Sequence, residues 1–592
     1  MPGCEQLLSQ ALGWHDDDPD PRDQAELAAV VSRARAGDAA AAADLHDRFA
    51  APLTFGTAGL RGPMRAGPAG INTAVVRRTS AGLAAWLLHA SGPGGRAVVG
   101  WEGRHRSAEL AGDAAAVLAG AGLEVFLLPE AMPTPLLAFA VRHTGAELGV
   151  MITASHNPAA DNGYKVYLGG AVTRGDPAAT GAQLVPPVDA QVQRAARAAG
   201  RAVDIPLGTP AGRLGPELLD AYLQGALALL APSPPAGPAR QVHVAYTPLH
   251  GVGRQVMERA FDAAGFPAPL VVAEQADPDP DFPTVAYPNP EEPGACDLLI
   301  ELAAATGADV ALANDPDADR LAVAVGGRLL TGDELGLLLA DHALGRRPGP
   351  VATSLVSSSA LGRLAAARGV SCTTTLTGFK WIMRAAPDLV LGYEEALGYA
   401  VAPELVRDKD GISAALLVTE LAALERQGDR TLLDRLDDLA REIGLAATRP
   451  LTVRLSAPAE ARDILSRLRA DPPGRLAGHA VAAVDLNDGW HGLPPTEGIV
   501  LHGDGVRAVV RPSGTEPKLK AYLEATALAD QCRRDLTATR EQLAGVLERM
   551  HDELARRLQV PAHPQGTGMP PRTAGVTPRR TGGPPRRPAP GR

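Results

Sequence analysis

Asp315, Asp317 and Asp319 fall two residues apart in NDPDADR (residues 314–320), directly after an apolar run. Three carboxylates in five residues repel one another unless a cation lies between them. All-oxygen ligands suit a hard ion such as Mg2+ or Ca2+ and not zinc. A calcium EF-hand is excluded, because its sixth and twelfth positions would be Arg320 and Gly326 instead of Gly and Glu. A solvated acidic turn is the competing reading, and the apolar runs on both sides weigh against it. Three carboxylates leave a metal short of ligands. Ser155, in TASHNP (residues 153–158), could supply another oxygen if it carried a phosphate.

Three further segments hold residues able to do chemistry. RPSGTEPKLKAYLE (residues 511–524) reads as strand, tight turn, strand. There Arg511, the hydroxyls of Ser513 and Thr515, and the amides around Gly514 could cup a dianionic phosphate; a plain turn with a surface arginine is the alternative. GYEEALGY (residues 392–399) sets Glu394 and Glu395 at a strand end, where they would bind sugar hydroxyls or open a helix. FGTAGLRGPM (residues 55–64) is a Gly-rich loop carrying Arg61, without the GxxxxGK[ST] of a phosphate-binding Walker loop. TASHNP lacks the GxSxG elbow of hydrolases, and a serine capping a helix before Asn-Pro is its ordinary reading.

The elements that must hold these loops follow a rhythm. An N-terminal helical segment (1–50) precedes strands such as RAVVGW and LEVFLL, which alternate with helices through residues 51–205. The same alternation recurs in 206–330, after the Pro-rich break PSPPAGPAR, and again in 331–450. Alternation at this spacing predicts α/β units with largely parallel sheets. Residues 451–558 differ: after one helix, strands succeed one another without intervening helices before a long final helix, predicting an α+β unit with an antiparallel sheet. The tail from 559 is rich in proline and arginine; its last 32 residues hold nine prolines, six arginines and no acid, a composition that predicts disorder.

At 592 residues the chain has room for several cores. The formal net charge of −10 gives no reason to expect nucleic acid or an anionic membrane as partner. The start MPGCEQLLSQ lacks a signal-peptide pattern, and four scattered cysteines without CxxC spacing fit a reducing cytoplasm. Of 57 basic residues only five are lysine: Lys165, Lys380, Lys409, Lys518 and Lys520. Positions kept as lysine in an arginine-using chain are candidates for work that needs a compact charge or a removable proton.

Taken in order, these segments resemble the α-D-phosphohexomutase superfamily over about residues 50–558. FGTAGLRG, PTPLLAFAV, DNGYKVY, TPLHGVG, PNPEE, TGFKWI and RDKDG agree with it as well. The resemblance implies an α/β fold of four domains around a central cleft, three related mixed α/β domains and a C-terminal α+β domain. It implies a phosphoserine at Ser155, one Mg2+ per subunit on Asp315, Asp317, Asp319 and Ser155, and priming by a sugar bisphosphate. It also implies Lys165 as general acid/base with His156 second, and Arg61 and Lys380 assisting. Arg320, Thr377, Gly378, Glu394, Glu395, Arg511, Ser513, Gly514, Thr515 and Lys518 would then contact a sugar phosphate. The activity implied is transfer of a phosphoryl group between the 1- and 6-positions of a hexose, with a pentose 1- to 5-transfer or a phosphatase as alternatives. A cytoplasmic monomer or weak homodimer is expected. The sugar loop departs from the family's usual Glu-x-Ser, reading Glu394-Glu395-Ala396.

Overall fold

The computed structural model describes residues 2–231, 240–455, 458–512 and 518–558. The tail from residue 559 and the contacts expected at Ser513, Gly514 and Thr515 lie outside the described residues.

Four sheets follow one another along the chain. In the first, Leu148–Ile152, Arg96–Trp101, Glu124–Leu127 and Gly212–Arg213 run parallel, and Asp161–Leu168 and Leu60–Pro63 complete one edge antiparallel. In the second, Leu270–Val271, Val244–Thr247 and Val310–Ala313 are parallel, and Ala322–Val325 and Arg328–Leu329 are added antiparallel. In the third, Cys372–Thr375, Val351–Ser354 and Leu391–Glu394 are parallel and Gly398–Ala400 antiparallel. The fourth, Leu445–Arg454, Lys518–Ala527, Val506–Pro512, Ile499–Gly503 and Ala482–Asp485, is antiparallel throughout. The expected three mixed α/β domains and one α+β domain are therefore present.

The strands of the first three sheets read as nearly unbroken apolar runs because helices cover both faces. Val310–Ala313 and Leu148–Ile152 are buried at every position. The cores are not separate, however. One apolar cluster runs from Leu136 and Tyr222 through Met257 and Leu312 to Leu391 and Leu416, joining the first three domains on one side. The fourth domain keeps its own core, where Leu465, Leu543 and Met550 pack beneath its sheet. It is tied back by a small apolar cluster, Leu355 and Val356 with Leu486, Val500 and Val509, and by polar contacts: the Ser358 and Ser359 hydroxyls donate to Glu524 at 2.9 Å each, and Thr448 Oγ1 donates to Asp333 at 3.1 Å.

Three helices, Pro2–His15, Pro21–Arg35 and Ala39–Ala50, pack around Leu27, Val30 and Leu45. Asp20 caps the second helix just before Pro21, a residue whose missing N–H costs nothing there. Acids of the turn WHDDDPDPRD anchor this segment to the first domain. Asp20 and Asp23 receive Arg106 at 2.7 and 2.6 Å, and Asp17 pairs with Arg78. Asp18 is fully buried beside them. Burial, chiefly, pushes its carboxyl up to about 6 against hydrogen bonds from Asp20 N and Trp14 Nε1. A raised carboxyl pKa means that the folded chain holds the extra proton, so stability falls as pH rises from about 4 through about 6. Asp18→Asn has no proton to lose and should gain on the wild type by about 1–3 kcal/mol between those limits. Melting temperatures of both proteins across pH 4–7 test this; a difference that does not change with pH would show that Asp18 is not protonated in the fold.

Candidate functional site

Each site loop occupies an equivalent place. The residues between Leu148–Ile152 and Asp161–Leu168 include TASHNP, and those between Val310–Ala313 and Ala322–Val325 are NDPDADRL. Glu395 to Leu397 join Leu391–Glu394 to Gly398–Ala400. In each case the chain leaves the end of a buried parallel strand and returns antiparallel beside it. The segment holding Ser513–Thr515 joins two antiparallel strands of the fourth sheet.

Ser155 takes a left-handed backbone conformation, φ 54°, uncommon for a residue with a side chain. Its Oγ donates to Asp315 Oδ2 at 2.6 Å and lies 3.1 Å from His156 Nδ1. Burial, with Arg320 foremost among the surrounding cations, holds His156 well below its ordinary value and keeps it neutral.

Asp315, Asp317 and Asp319 are wholly buried, and one oxygen from each falls within 4.8 Å of the others. Ala318, φ 52°, makes the turn that brings the second and third back toward the first. Lys165 Nζ stands 2.8 Å from both Asp317 Oδ2 and Asp319 Oδ2, and Lys409 Nζ is 3.2 Å from the latter. Thr134 Oγ1 donates to Asp317 at 2.7 Å. Burial and the two neighbouring carboxylates push Asp315 well above the usual carboxylate range. Burial works the same way on Asp317, but Lys165 overcomes it and holds that carboxyl below its usual value. Lys165 in turn is kept protonated: burial opposes its charge, and Asp317 and Asp319 outweigh burial.

Two buried oxygens of the cluster, Asp317 Oδ1 and Asp319 Oδ1, have no hydrogen-bond partner. Orphaned buried acceptors are costly unless something binds them. Hard oxygens that converge within ion-binding distance fit Mg2+, with Ser155 Oγ on the same side of Asp315. Arg61 and Arg320 also each keep a buried Nε without a hydrogen bond, although Arg320 Nε lies 3.9 Å from Asp315 and 4.0 Å from Asp319. Arg61 Nη1 donates to Asn157 Oδ1 at 3.1 Å, and Arg320 Nη1 to Glu291 at 3.4 Å.

The two glutamates of the third loop divide. Glu395 accepts from the Ser354 and Ser357 hydroxyls at 3.1 and 3.0 Å. Glu394 takes no hydrogen bond among the described residues; burial pushes its carboxyl up to about 7, although Lys409 beside it opposes the shift. Gly378 and Lys380, just after Thr377, sit against the Gly-rich loop 55–59. Gly378 has φ 107°, a Cβ there would meet Thr57, and Lys380 Nζ donates to Gly56 O at 3.2 Å. Burial lowers the Lys380 pKa. Arg511 faces Lys520 across the strand pair.

A cavity of about 880 Å³ opens between the four domains, lined by His156 and Asn157, Glu291 and Arg320, Glu395 and Ala396, and Lys518 and Lys520. Sequence reasoning assigned no role to Lys409, Lys520, Thr134 or Glu291. The scarcity of lysine pointed to the first two, and only the fold gives the others a place at the site.

Comparison with known proteins matches the order of the domains. The descriptions of phosphoglucomutase/phosphomannomutase domains I, II, III and the C-terminal domain match residues 52–181, 220–328, 331–443 and 475–538. A Haemophilus influenzae protein named probable phosphomannomutase is 41% identical over 77% of this chain and 93% of its own length. A Saccharomyces cerevisiae phosphoribomutase is 33% identical over 88% of this chain and 92% of its own. A Burkholderia thailandensis phosphoglucomutase/phosphomannomutase family protein shares the fold with a TM-score of 0.63 at 21% identity, over 85% of this chain and 97% of that one. Four matched domains in order, with relatives aligned over nearly their full length, show that this chain belongs to the phosphoglucomutase/phosphomannomutase family of the α-D-phosphohexomutase superfamily, isomerases that move a phosphoryl group within a sugar phosphate.

Proposed function

We propose that the chain interconverts hexose 1- and 6-phosphates through a phosphorylated Ser155 and a hexose bisphosphate. The observation that carries this is the Ser155 hydroxyl, turned by its left-handed backbone onto Asp315 of a buried three-carboxylate cluster. In the first half-reaction the P–Oγ bond of phosphoserine breaks as a sugar hydroxyl oxygen bonds to phosphorus. The proton of that hydroxyl passes to a base of the site. After the bisphosphate turns over in the cleft, its other phosphoryl group returns to Ser155 Oγ, and the released sugar oxygen regains a proton.

The residues divide this work by position. Neutral His156 can accept a proton beside Ser155 Oγ, and Lys165, held as an ammonium, can donate one. Arg61 and Arg320 offer their spare Nε–H groups to the moving phosphoryl oxygens. Arg511, with Ser513, Gly514, Thr515 and Lys518, would receive the phosphate that does not react. Glu394 and Glu395 would orient the sugar ring, and Thr377, Gly378 and Lys380 would close the cleft against the Gly-rich loop. When held by Asp315, Asp317, Asp319 and the phosphoserine, Mg2+ supplies the positive charge that phosphoryl transfer needs.

Ser155→Ala should fold normally and lose turnover by several orders of magnitude, since its covalent carrier is gone. Mass spectrometry of the purified wild type should find phosphate on Ser155. Turnover close to wild type in the alanine variant would refute the relay. A phosphatase reading differs only in the acceptor, and accumulation of inorganic phosphate from a sugar phosphate would favour it.

Chelation should abolish activity, and Asp317→Asn should raise the Mg2+ needed for half-maximal rate about tenfold or more. The variant keeps its fold because Asp319 still pairs with Lys165. Full activity after dialysis against EDTA would remove the metal from the mechanism.

Pentose phosphates are a second reading, favoured by Ala396. This residue lines the cavity where the family's usual loop has serine, and a yeast relative is named phosphoribomutase. A methyl group in place of a hydroxyl removes about 1–3 kcal/mol of orienting hydrogen bond. The wild type should therefore turn over glucose and mannose 1-phosphates and, measurably, ribose 1-phosphate. Ala396→Ser should narrow that range toward hexoses. The measurement is kcat/KM for each sugar in both proteins; a wild type already selective for one hexose by about a thousandfold would place the choice elsewhere.

A further inference from the structure

EGRHR (residues 102–106) follows the strand Arg96–Trp101, beside the strand from which the Ser155 loop emerges. Its first arginine has no carboxylate of the metal cluster as partner, yet it is almost completely buried. Arg104 spends all five guanidinium N–H groups on this corner. Nε donates to Glu102 Oε1 at 2.9 Å. Nη2 donates to the carbonyls of Ser155 and Asn157 at 2.6 Å each, and Nη1 to those of Pro158 and Asp161 at 2.7 and 3.1 Å. Four consecutive-loop carbonyls therefore converge on one planar fork.

Glu102 completes the hold from the other side. The same Oε1 accepts from Thr153 Oγ1 at 2.6 Å and from Ala154 N at 3.1 Å, while Thr153 Oγ1 accepts from Ser155 N at 2.8 Å. The Arg104 guanidinium also lies 4.9 Å from the centre of the Phe282 ring, a contact with the second domain. Ser155 is thus bonded on both its N–H and its C=O by groups that trace to the Glu102–Arg104 pair.

We propose that Arg104, with Glu102, is a positioning residue for the phosphate carrier: it holds the Ser155 backbone in the left-handed conformation that aims Oγ at Asp315. The argument rests on the mutase reading of Ser155. Three observations separate positioning from general stability. The acceptors are the carbonyls of the reactive loop itself. Ser155 occupies a backbone region that a non-glycine residue leaves unless its surroundings hold it there. All five Arg104 N–H groups are already taken by protein partners, so none is left to bind substrate. A lysine could supply the charge but only three donors and no planar fork, so it cannot reach four carbonyls and Glu102 together.

The test is Arg104→Lys, assayed with glucose 1-phosphate and glucose 1,6-bisphosphate primer, beside Arg106→Lys. Arg106 binds Asp20 and Asp23 of the N-terminal helices and serves as the stability control. Misplacing a reacting atom by about 1 Å costs about a hundredfold in rate, so Arg104→Lys should lose about that much in kcat with KM within threefold of wild type. Transfer from the bisphosphate to Ser155, followed in a single turnover by intact-protein mass, should slow equally. Arg106→Lys should lower the melting temperature and leave kcat unchanged. Wild-type kcat per folded molecule in Arg104→Lys overturns the proposal, whatever happens to its melting temperature. If that variant does not fold, the near-isosteric Glu102→Gln decides: an unchanged kcat overturns the proposal, and a fall with KM intact supports it. Absence of phosphate on Ser155 in the primed wild type would instead defeat the mutase reading beneath it.

Discussion

Three carboxylates buried within one short loop cannot remain charged together unless cations come to them; Arg320 comes from the loop itself, and the two lysines come from other domains. Lys165 belongs to the first sheet and Lys409 to the segment before the helix Gly411–Arg426, yet both reach the second domain's aspartates. Leaving a buried charge unpaired costs several kcal/mol, far more than a surface ion pair returns. The loop can therefore be buried only when three domains meet around it. The chemistry and the assembly of the domains share one electrostatic constraint.

RDKDG (residues 407–411) shows how that constraint is met. Arg407 donates to carbonyls at Ala178 and Met383, and Asp408 accepts from the Tyr167 hydroxyl and Gln183. Lys409 turns to Asp319, and Asp410 caps the following helix while receiving the Tyr222 hydroxyl. Successive side chains address different domains, so a shift of any one would disturb the partners of the others. The continuous apolar cluster through the first three domains serves the same end, since it leaves them little freedom to move apart. The fourth domain has its own core and meets the third through a smaller apolar cluster, Leu355 and Val356 with Leu486, Val500 and Val509, and through a polar seam of serine hydroxyls on Glu524 and Thr448 on Asp333. The seam lies at the wall of the cavity that Lys518 and Lys520 line.

The repeated topology gives each loop its task. Where a parallel strand ends and its neighbour returns antiparallel, the connection stands free of the helices that cover the sheet faces. Polar side chains there can face a cleft without leaving a core. The first three domains repeat this corner, and its cargo changes: a serine, a cluster of three aspartates and a pair of glutamates. Backbone strain marks each corner, at Ser155, Ala318 and Leu397, all with positive φ. A conformation that most residues avoid persists because the surroundings impose it.

The order of the sheets, the reactive loops and the residue types able to bind metal and phosphate were all legible in the chain itself, because they depend on local pattern. Apolar runs of strand length alternating with helices predict largely parallel sheets, and acids at a spacing of two predict a cation. Lysine kept where arginine is the habit marked Lys409 and Lys520, although their tasks were not readable. What the linear order could not disclose depends on separations that only folding closes. It placed Lys165 between two aspartates more than 150 residues away, and set Glu395 on two serines so that Glu394 alone was left uncommitted. It also decided that Arg104, one arginine among dozens, gathers the carbonyls of the Ser155 loop. Residue type and spacing announce which chemistry a chain can attempt; hydrogen-bond partners and burial, which belong to the packed molecule, decide which of several identical side chains performs it.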